Sequence, residues 1–144
     1  MAESLRFASP VDEAALADWQ SIHNAIIPAH QLSLDEVRER AGRNRLELAY
    51  LGEVAVGNST VRPPDDDGVA VVIARVLPAH RRRGFGVRIY DRALAAARAL
   101  EPAAIETIIL AANVDGLRFA LRHGWVETER YVVDDAPFVT LRLA

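Results

Sequence analysis

The sequence predicts an α/β or α+β domain built around a central sheet, and three observations carry that prediction. Strand-like and helix-like segments follow one another in the order β-α-α-β-β-β-α-β-α-β-β. Residues 69–76 form a near-continuous apolar run, the pattern of a strand covered on both faces, whereas 45–51 alternates. The chain has 144 residues, 51% apolar and 26% charged, enough for a sizeable core and the length of one domain. Residues 1–144 are therefore read as a single domain.

Leu5 to Ala8 reads as a short first strand that Ser9-Pro10 ends. Over 11–24, Val11, Ala14, Leu16, Trp19 and Ile22 fall near one helical face. Asn24 to Gln31, with Pro28 and His30, reads as a loop. Ser33 with Glu36 three residues later forms a capping box that opens a helix over about 34–42. Leu46, Leu48 and Tyr50 share one face of a strand over 45–51. Gly52-Glu53 suits a type II′ hairpin turn, with Val54 to Val61 as the returning strand. Pro63 to Gly68 is an acidic turn before the apolar strand 69–76. After Pro78 and an Arg- and Gly-rich turn, Val87, Tyr90, Leu94 and Ala97 mark a long helix. Ala104 to Ala111 is another apolar strand, Asn113 caps a helix to about His123, and Gly124 ends it. Val126–Val133 and Pro137–Leu143 close the chain as a hairpin around Asp134-Asp135.

Composition removes several function classes. The net charge of −3 argues against nucleic-acid binding through Arg81 to Arg83 and Arg88. With no cysteine there is no disulfide, thiolate metal site or Cys nucleophile. All 17 basic residues are arginine, so a Walker lysine, a Schiff-base lysine and a Ser-Lys dyad are excluded. GC-rich coding explains the abundance of Ala and Arg. The four histidines are scattered without a close ligand pair, so no metal is expected. No apolar run approaches the roughly 18 residues of a membrane span. Met1 to Arg6 lacks the basic and apolar regions of a signal peptide. A cytoplasmic location is the expectation, with no membrane partner.

The sharpest local signal is Val76-Leu77-Pro78-Ala79-His80-Arg81-Arg82-Arg83-Gly84-Phe85-Gly86-Val87. A buried strand ends, a proline breaks the ladder, and a glycine turn opens a helix. The first N–H groups of a helix have no internal partner, and its dipole favours an anion there. Gly84 and Gly86 let a phosphate approach the backbone, and the arginines add positive potential. Ile89 stands where a dinucleotide fingerprint needs its third glycine, and a Walker loop needs a lysine. The turn therefore reads as a metal-free pyrophosphate cradle.

Arg81-x-x-Gly84-x-Gly86 after a strand ending in Val-x-Pro resembles the acyl-CoA-binding motif of the GCN5-related N-acetyltransferase (GNAT) family. The segment Asn113 to Glu127 is similar to that family's later signature, with Phe119, Gly124 and Trp125 in register. The resemblance spans Leu5 to Leu143, with its specific residues between 76 and 125. It implies a mixed, mostly antiparallel central sheet flanked by helices, with splayed parallel strands at the cofactor site. It further implies acetyl-CoA or another acyl-CoA as cosubstrate and direct attack by a small-molecule or protein amine in a ternary complex. By this resemblance Val76, Leu77, Arg81, Arg82, Arg83, Gly84, Phe85, Gly86, Val87, Asn113 and Phe119 would hold the cofactor. A backbone N–H near Val76 or Leu77 would stabilise the oxyanion.

One position departs from the family. Many members carry a tyrosine, the acid that protonates the CoA thiolate, where this chain has Ala120. A thiol has a pKa near 8.5, so its anion leaves tolerably without help. Tyr131 is the spare phenol. Candidate bases are Glu47, Asp65 to Asp67, Glu106, His23 and His30, each also readable as an ordinary surface or structural group, or a water chain. Asp65-Asp66-Asp67 would favour a cationic acceptor if they rim the site. The alternative to an N-acyltransferase is a non-catalytic acyl-CoA sensor or interaction module, for which Ala120 argues. A homodimer is left open.

Overall fold

The computed structural model describes residues 4–144, so the leader-free reading of the N-terminus falls partly on residues 1–3, outside them. Every expected strand and helix forms, in the expected order. The elements are β1 (Leu5–Ala8), α1 (Glu13–Ile26), α2 (Leu34–Arg43), β2 (Arg45–Leu51), β3 (Val54–Arg62), β4 (Val69–Val76), α3 (Phe85–Arg98), β5 (Ala104–Leu110), α4 (Val114–Arg122), β6 (Trp125–Val133) and β7 (Ala136–Leu143), with 3₁₀ turns at Pro28–His30 and Pro78–His80.

Local chemistry sets the ends. Asp12 accepts from the Ala15 N–H at 2.8 Å and starts α1 two residues later than expected. The helix also runs through Asn24, because that side chain reaches away from it. Its Oδ1 accepts from the Leu32 N–H at 2.8 Å and its Nδ2 donates to the Leu32 carbonyl at 3.0 Å, fastening the returning chain. Ser33 and Glu36 form the expected capping box. Asp134 and Asp135 take φ of 50° and 64°, the left-handed pair a tight type I′ hairpin between β6 and β7 requires.

The seven strands form one sheet in the order β1-β2-β3-β4-β5-β7-β6. All pairs are antiparallel except β4 with β5. On one face α1 and α2 cover a core that includes Trp19, Ile22, Val37, Leu46 and Leu48. On the other, α3 and α4 cover Val61, Val72, Leu94, Val139 and Leu141. Truncating the fully buried Ile22, Leu48 or Leu141 to Ala would cost about 2–5 kcal/mol.

The parallel pair matters most. β4 and β5 meet only at Val69–Ala104, Ala70–Ile105 and Val71–Glu106. Beyond that point β4 stays with β3, while β5 stays with β7 from Glu106 to Leu110. The two strands thus part in the middle of the sheet.

Candidate active site

The parting strands open a cavity of about 520 Å³ that passes from one face of the sheet to the other. Ile26, Ile27, Ile73, Arg75 and Ile108 line it on the α1 face; Val72, Ala74, Tyr90, Phe119 and Ala120 line it towards α3 and α4. The Leu77 N–H donates to the Val56 carbonyl at 2.9 Å, so Leu77 belongs to a hydrogen-bonded pair with β3. Antiparallel pairs alternate, so the N–H groups of Ala74 and Val76 point the other way, into the gap. This corrects the expectation for Leu77: its N–H is engaged with β3, and its side chain packs against the α1 core instead of lining the cavity.

At the end of β4, Arg82 and Gly84 adopt left-handed φ of 67° and 80° and wrap the turn into α3. Gly84 is the N-cap and contributes no side-chain bond, so the first N–H groups of α3 keep no side-chain partner. Two left-handed residues ahead of an uncapped helix form the backbone concavity that suits a phosphate. Arg82, Gly84, Gly86 and Val87 border the cavity. Arg83 and Phe85 do not: Phe85 is buried in the core under β2 and β3, and Arg83 lies over its ring at 4.9 Å. Arg81 acts as a tie. Its Nε donates to the Val76 carbonyl at 2.9 Å and its Nη1 to Asp115 at 3.1 Å.

Asn113 caps α4, its Oδ1 accepting from the Gly116 N–H at 3.1 Å, and it also borders the cavity. Phe119 stacks on His123 at 4.1 Å and meets Tyr90 edge-on at 5.4 Å, forming a wall as well as core. Ala120 is buried beneath this aromatic group, which also contains Trp125. The two groups beside it that can carry a proton, Tyr90 and His123, escaped the sequence reading. The His123 Nδ1–H donates to the Phe119 carbonyl at 2.8 Å, which leaves Nε2 as the acceptor nitrogen. The Tyr90 hydroxyl accepts from Trp125 Nε1–H at 3.2 Å. Tyr131 stacks on Phe138 at 5.8 Å and is not part of the lining.

The expected bases lie elsewhere. Glu47 is buried on the α3 face and held by Arg92 at 2.7 and 3.1 Å, with Arg45 at 3.2 Å. Burial raises its pKa, but the arginines outweigh burial and leave it below the usual range. It is a structural carboxylate, not a solvated one. Glu106 is engaged by Arg142 at 2.8 Å. Asp65 folds its own turn, accepting from Asp67 N–H at 2.9 Å and Val69 N–H at 3.0 Å. The acidic triplet therefore sits at the closed end of β4, the length of the strand (about 23 Å) from Val76, and does not rim the cavity. His23 is pushed down to about 4, mainly by burial and then by Arg75, which makes it a weak base at neutral pH. The His30 Nε2–H donates to the Val133 carbonyl at 2.8 Å. Among the described residues, no group of three or more His, Cys, Asp or Glu could hold a metal ion, and no helix is long and apolar enough to cross a membrane.

Comparison with known proteins agrees with this geometry. No curated protein matches the chain. Among solved structures, yncA from Salmonella typhimurium, which carries its cofactor acetyl-CoA, superposes with a TM-score of 0.76 at 17% identity, covering 99% of this chain and 94% of that one. Ard1 from Thermoplasma volcanium gives 0.76 at 17% identity over 100% and 99% of the two chains. The ribosomal-protein-S18-alanine N-acetyltransferase from Escherichia coli gives 0.76 at 14% identity over 97% and 93%. At these identities the likeness is one of fold. The model of the acetyltransferase (GNAT) family matches residues 11–125, from α1 through the glycine turn to the start of β6, and the chain belongs to that family.

Proposed function

We propose that this chain is an N-acyltransferase that moves an acetyl group from acetyl-CoA to an amine by direct attack in a ternary complex. The observation that carries the reading is the cavity that crosses the sheet where β4 leaves β5. Two substrates can enter from opposite faces and meet beside unpaired backbone. The uncapped N-terminus of α3 suits a pyrophosphate, and the strand edge at Ala74 and Val76 suits amide groups added as an extra strand.

Arg82, Gly84, Gly86, Val87, Asn113 and Phe119 would hold the cofactor, with Arg81 fixing the ends of β4 and α4 around it. Bound acetyl-CoA supplies an activated acyl group and a thiolate leaving group. The N–H of Ala74 or Val76 would donate to a developing oxyanion. His123 and Tyr90 are the protein groups at the cavity wall through which a proton can move; an amine proton can also leave through water.

Ala120 favours one further reading, a non-catalytic acyl-CoA sensor. Calorimetry with acetyl-CoA, then CoA release across an amine panel, separates the two. Binding with turnover supports the enzyme; binding without turnover on any amine supports the sensor; no binding at millimolar acetyl-CoA overturns both.

A further inference from the structure

Arg75 lies on β4, where alternation points it to the α1 face, opposite the side on which α3 opens. It borders the cavity, yet only 9% of the residue is exposed. A guanidinium taken out of water is costly unless it is paired and hydrogen-bonded. Arg75 gains little of either from its own chain. Its Nη1 reaches Asn58 Oδ1 at a long 3.5 Å, and its guanidinium lies 5.9 Å from the Trp19 ring centre. Among the described residues no carboxylate makes an ion pair with it.

Its charged surroundings are positive. Burial above all, and then Arg40 and Arg62, push it down to about 9. Arg62 sits on the same face of β3, opposite Val71, with a buried Nε that no hydrogen bond satisfies. His23 is neutral at pH 7 and adds no negative charge. The carboxylates of α2 and β5 have other partners: Glu36 the Ser33 cap, Glu39 Arg43, Glu106 Arg142. A buried cationic group without a counterion, opening on a cavity, fits a planar anion that can accept two parallel N–H bonds. The pyrophosphate reading does not supply that anion, because the α3 turn lies past the end of the strand and on its other face.

Resting on the acyltransferase reading, we propose that Arg75 binds the carboxylate of the acceptor, so that the acceptor is a free amino acid. Ile26, Ile27, Ile73 and Ile108 line the same side of the cavity and select an apolar side chain. The acceptor is therefore anionic at one end, the opposite of what the acidic triplet suggested.

Paired acceptors test this directly: L-leucine against L-leucinamide, L-phenylalanine against L-phenylalaninamide, and L-methionine against L-methioninamide, with CoA release as readout. At least one acid should be turned over with a kcat/KM about 100-fold above its amide. Arg75→Gln should raise KM for that acid about 100-fold while the Kd for acetyl-CoA changes less than about threefold; Arg75→Lys should recover part of the loss. Because Trp19 lies against Arg75, the same acids should change tryptophan fluorescence in the wild type and not in Arg75→Gln. Equal turnover of acids and amides, turnover only of amines lacking a carboxylate, or no fluorescence response to any acid overturns the proposal. If Arg75→Gln does not fold, the wild-type pairs and the wild-type fluorescence titration decide. Absence of acetyl-CoA binding would instead sink the acyltransferase reading, and the fluorescence titration would still judge Arg75.

Discussion

Arg81 joins the two arms of the cleft: its Nη1 lies 3.1 Å from Asp115 Oδ2, while its Nε holds the Val76 carbonyl at 2.9 Å. The end of β4 is thereby tied to the first turn of α4. Asp115 also lies 3.6 Å from Arg82, so it offsets two guanidinium groups beside the α3 N-terminus. Asp115→Asn removes that offset and leaves the Arg81 bond to Val76 in place. CoA should bind roughly two- to fivefold more tightly at low salt, with a steeper salt dependence. Both partners are partly exposed, so the stability loss should stay within about 1 kcal/mol. Calorimetry at two salt concentrations checks this; weaker binding would mean that the tie matters more than the charge.

Gly57 allows β3 to run close beside β4. A Cβ built there would stand 2.5 Å from the Arg75 carbonyl oxygen and 2.6 Å from Ile89 Cδ1. Ile89 could turn aside, but the carbonyl belongs to the backbone of the strand that forms the cleft. Gly57→Ala should therefore cost about 2–3 kcal/mol, read by urea denaturation. Gly42 is the control. It lies inside α2, where an added Cβ meets nothing within 4 Å, so Gly42→Ala should stabilise by about 0.5–1 kcal/mol.

His23 should make stability depend on pH. Its Nδ1 lies 3.0 Å from Asn24 Oδ1, and that amide is oriented by its two bonds to Leu32, so Nδ1 carries the hydrogen of a neutral ring. Burial first, then Arg75 and Arg40, lower the pKa from 6.5 to about 4, against the opposing Asn24 bond. The unfolded chain therefore takes up this proton before the folded one does. The contribution is complete above about pH 6.5 and is lost as pH falls from there to about 4. It should amount to about 3 kcal/mol. The measurement is the stability difference between wild type and His23→Gln at pH 7.5 and pH 4.5. That difference should shift in favour of the variant at the lower pH, whereas an equal difference at both would show that His23 does not titrate in this range.

Features legible in the sequence were those that short-range chemistry controls. The Ser33–Glu36 box, the left-handed Gly84 ahead of α3, the apolar run of β4 and the Asn113 cap each depend on neighbours within a few residues. Readings failed where a partner came from far along the chain. Glu47 looked solvated until Arg92 of α3 closed over it. Arg75 was a lone charge at the end of an apolar strand, and only the fold brings Trp19 and Asn58 against it. Leu77 was a reasonable oxyanion donor until strand alternation turned its N–H towards Val56. The acidic loop was adjacent in sequence to the strand of interest but at its wrong end.

Proton handling near the absent tyrosine gives the last prediction. Ala120 is packed among Tyr90, Trp125 and Phe119, so Ala120→Tyr must force its ring into the cavity or crowd the core, and should destabilise by about 1–3 kcal/mol. The existing candidates are less disruptive to test. His123 holds Nδ1–H on the Phe119 carbonyl and keeps Nε2 as acceptor, so His123→Gln should lower kcat by about 10²-fold, with KM nearly unchanged. Tyr90→Phe leaves the buried Trp125 N–H without its partner and should cost about 1–3 kcal/mol of stability. A fall in kcat as large as that for His123→Gln would place the phenol in the same proton path. Tyr131 stacks on Phe138 outside the cavity lining, so Tyr131→Phe should leave kcat within about twofold. A much larger fall for Tyr131→Phe, with His123→Gln active, would move proton transfer from the α4 wall to the β6–β7 hairpin.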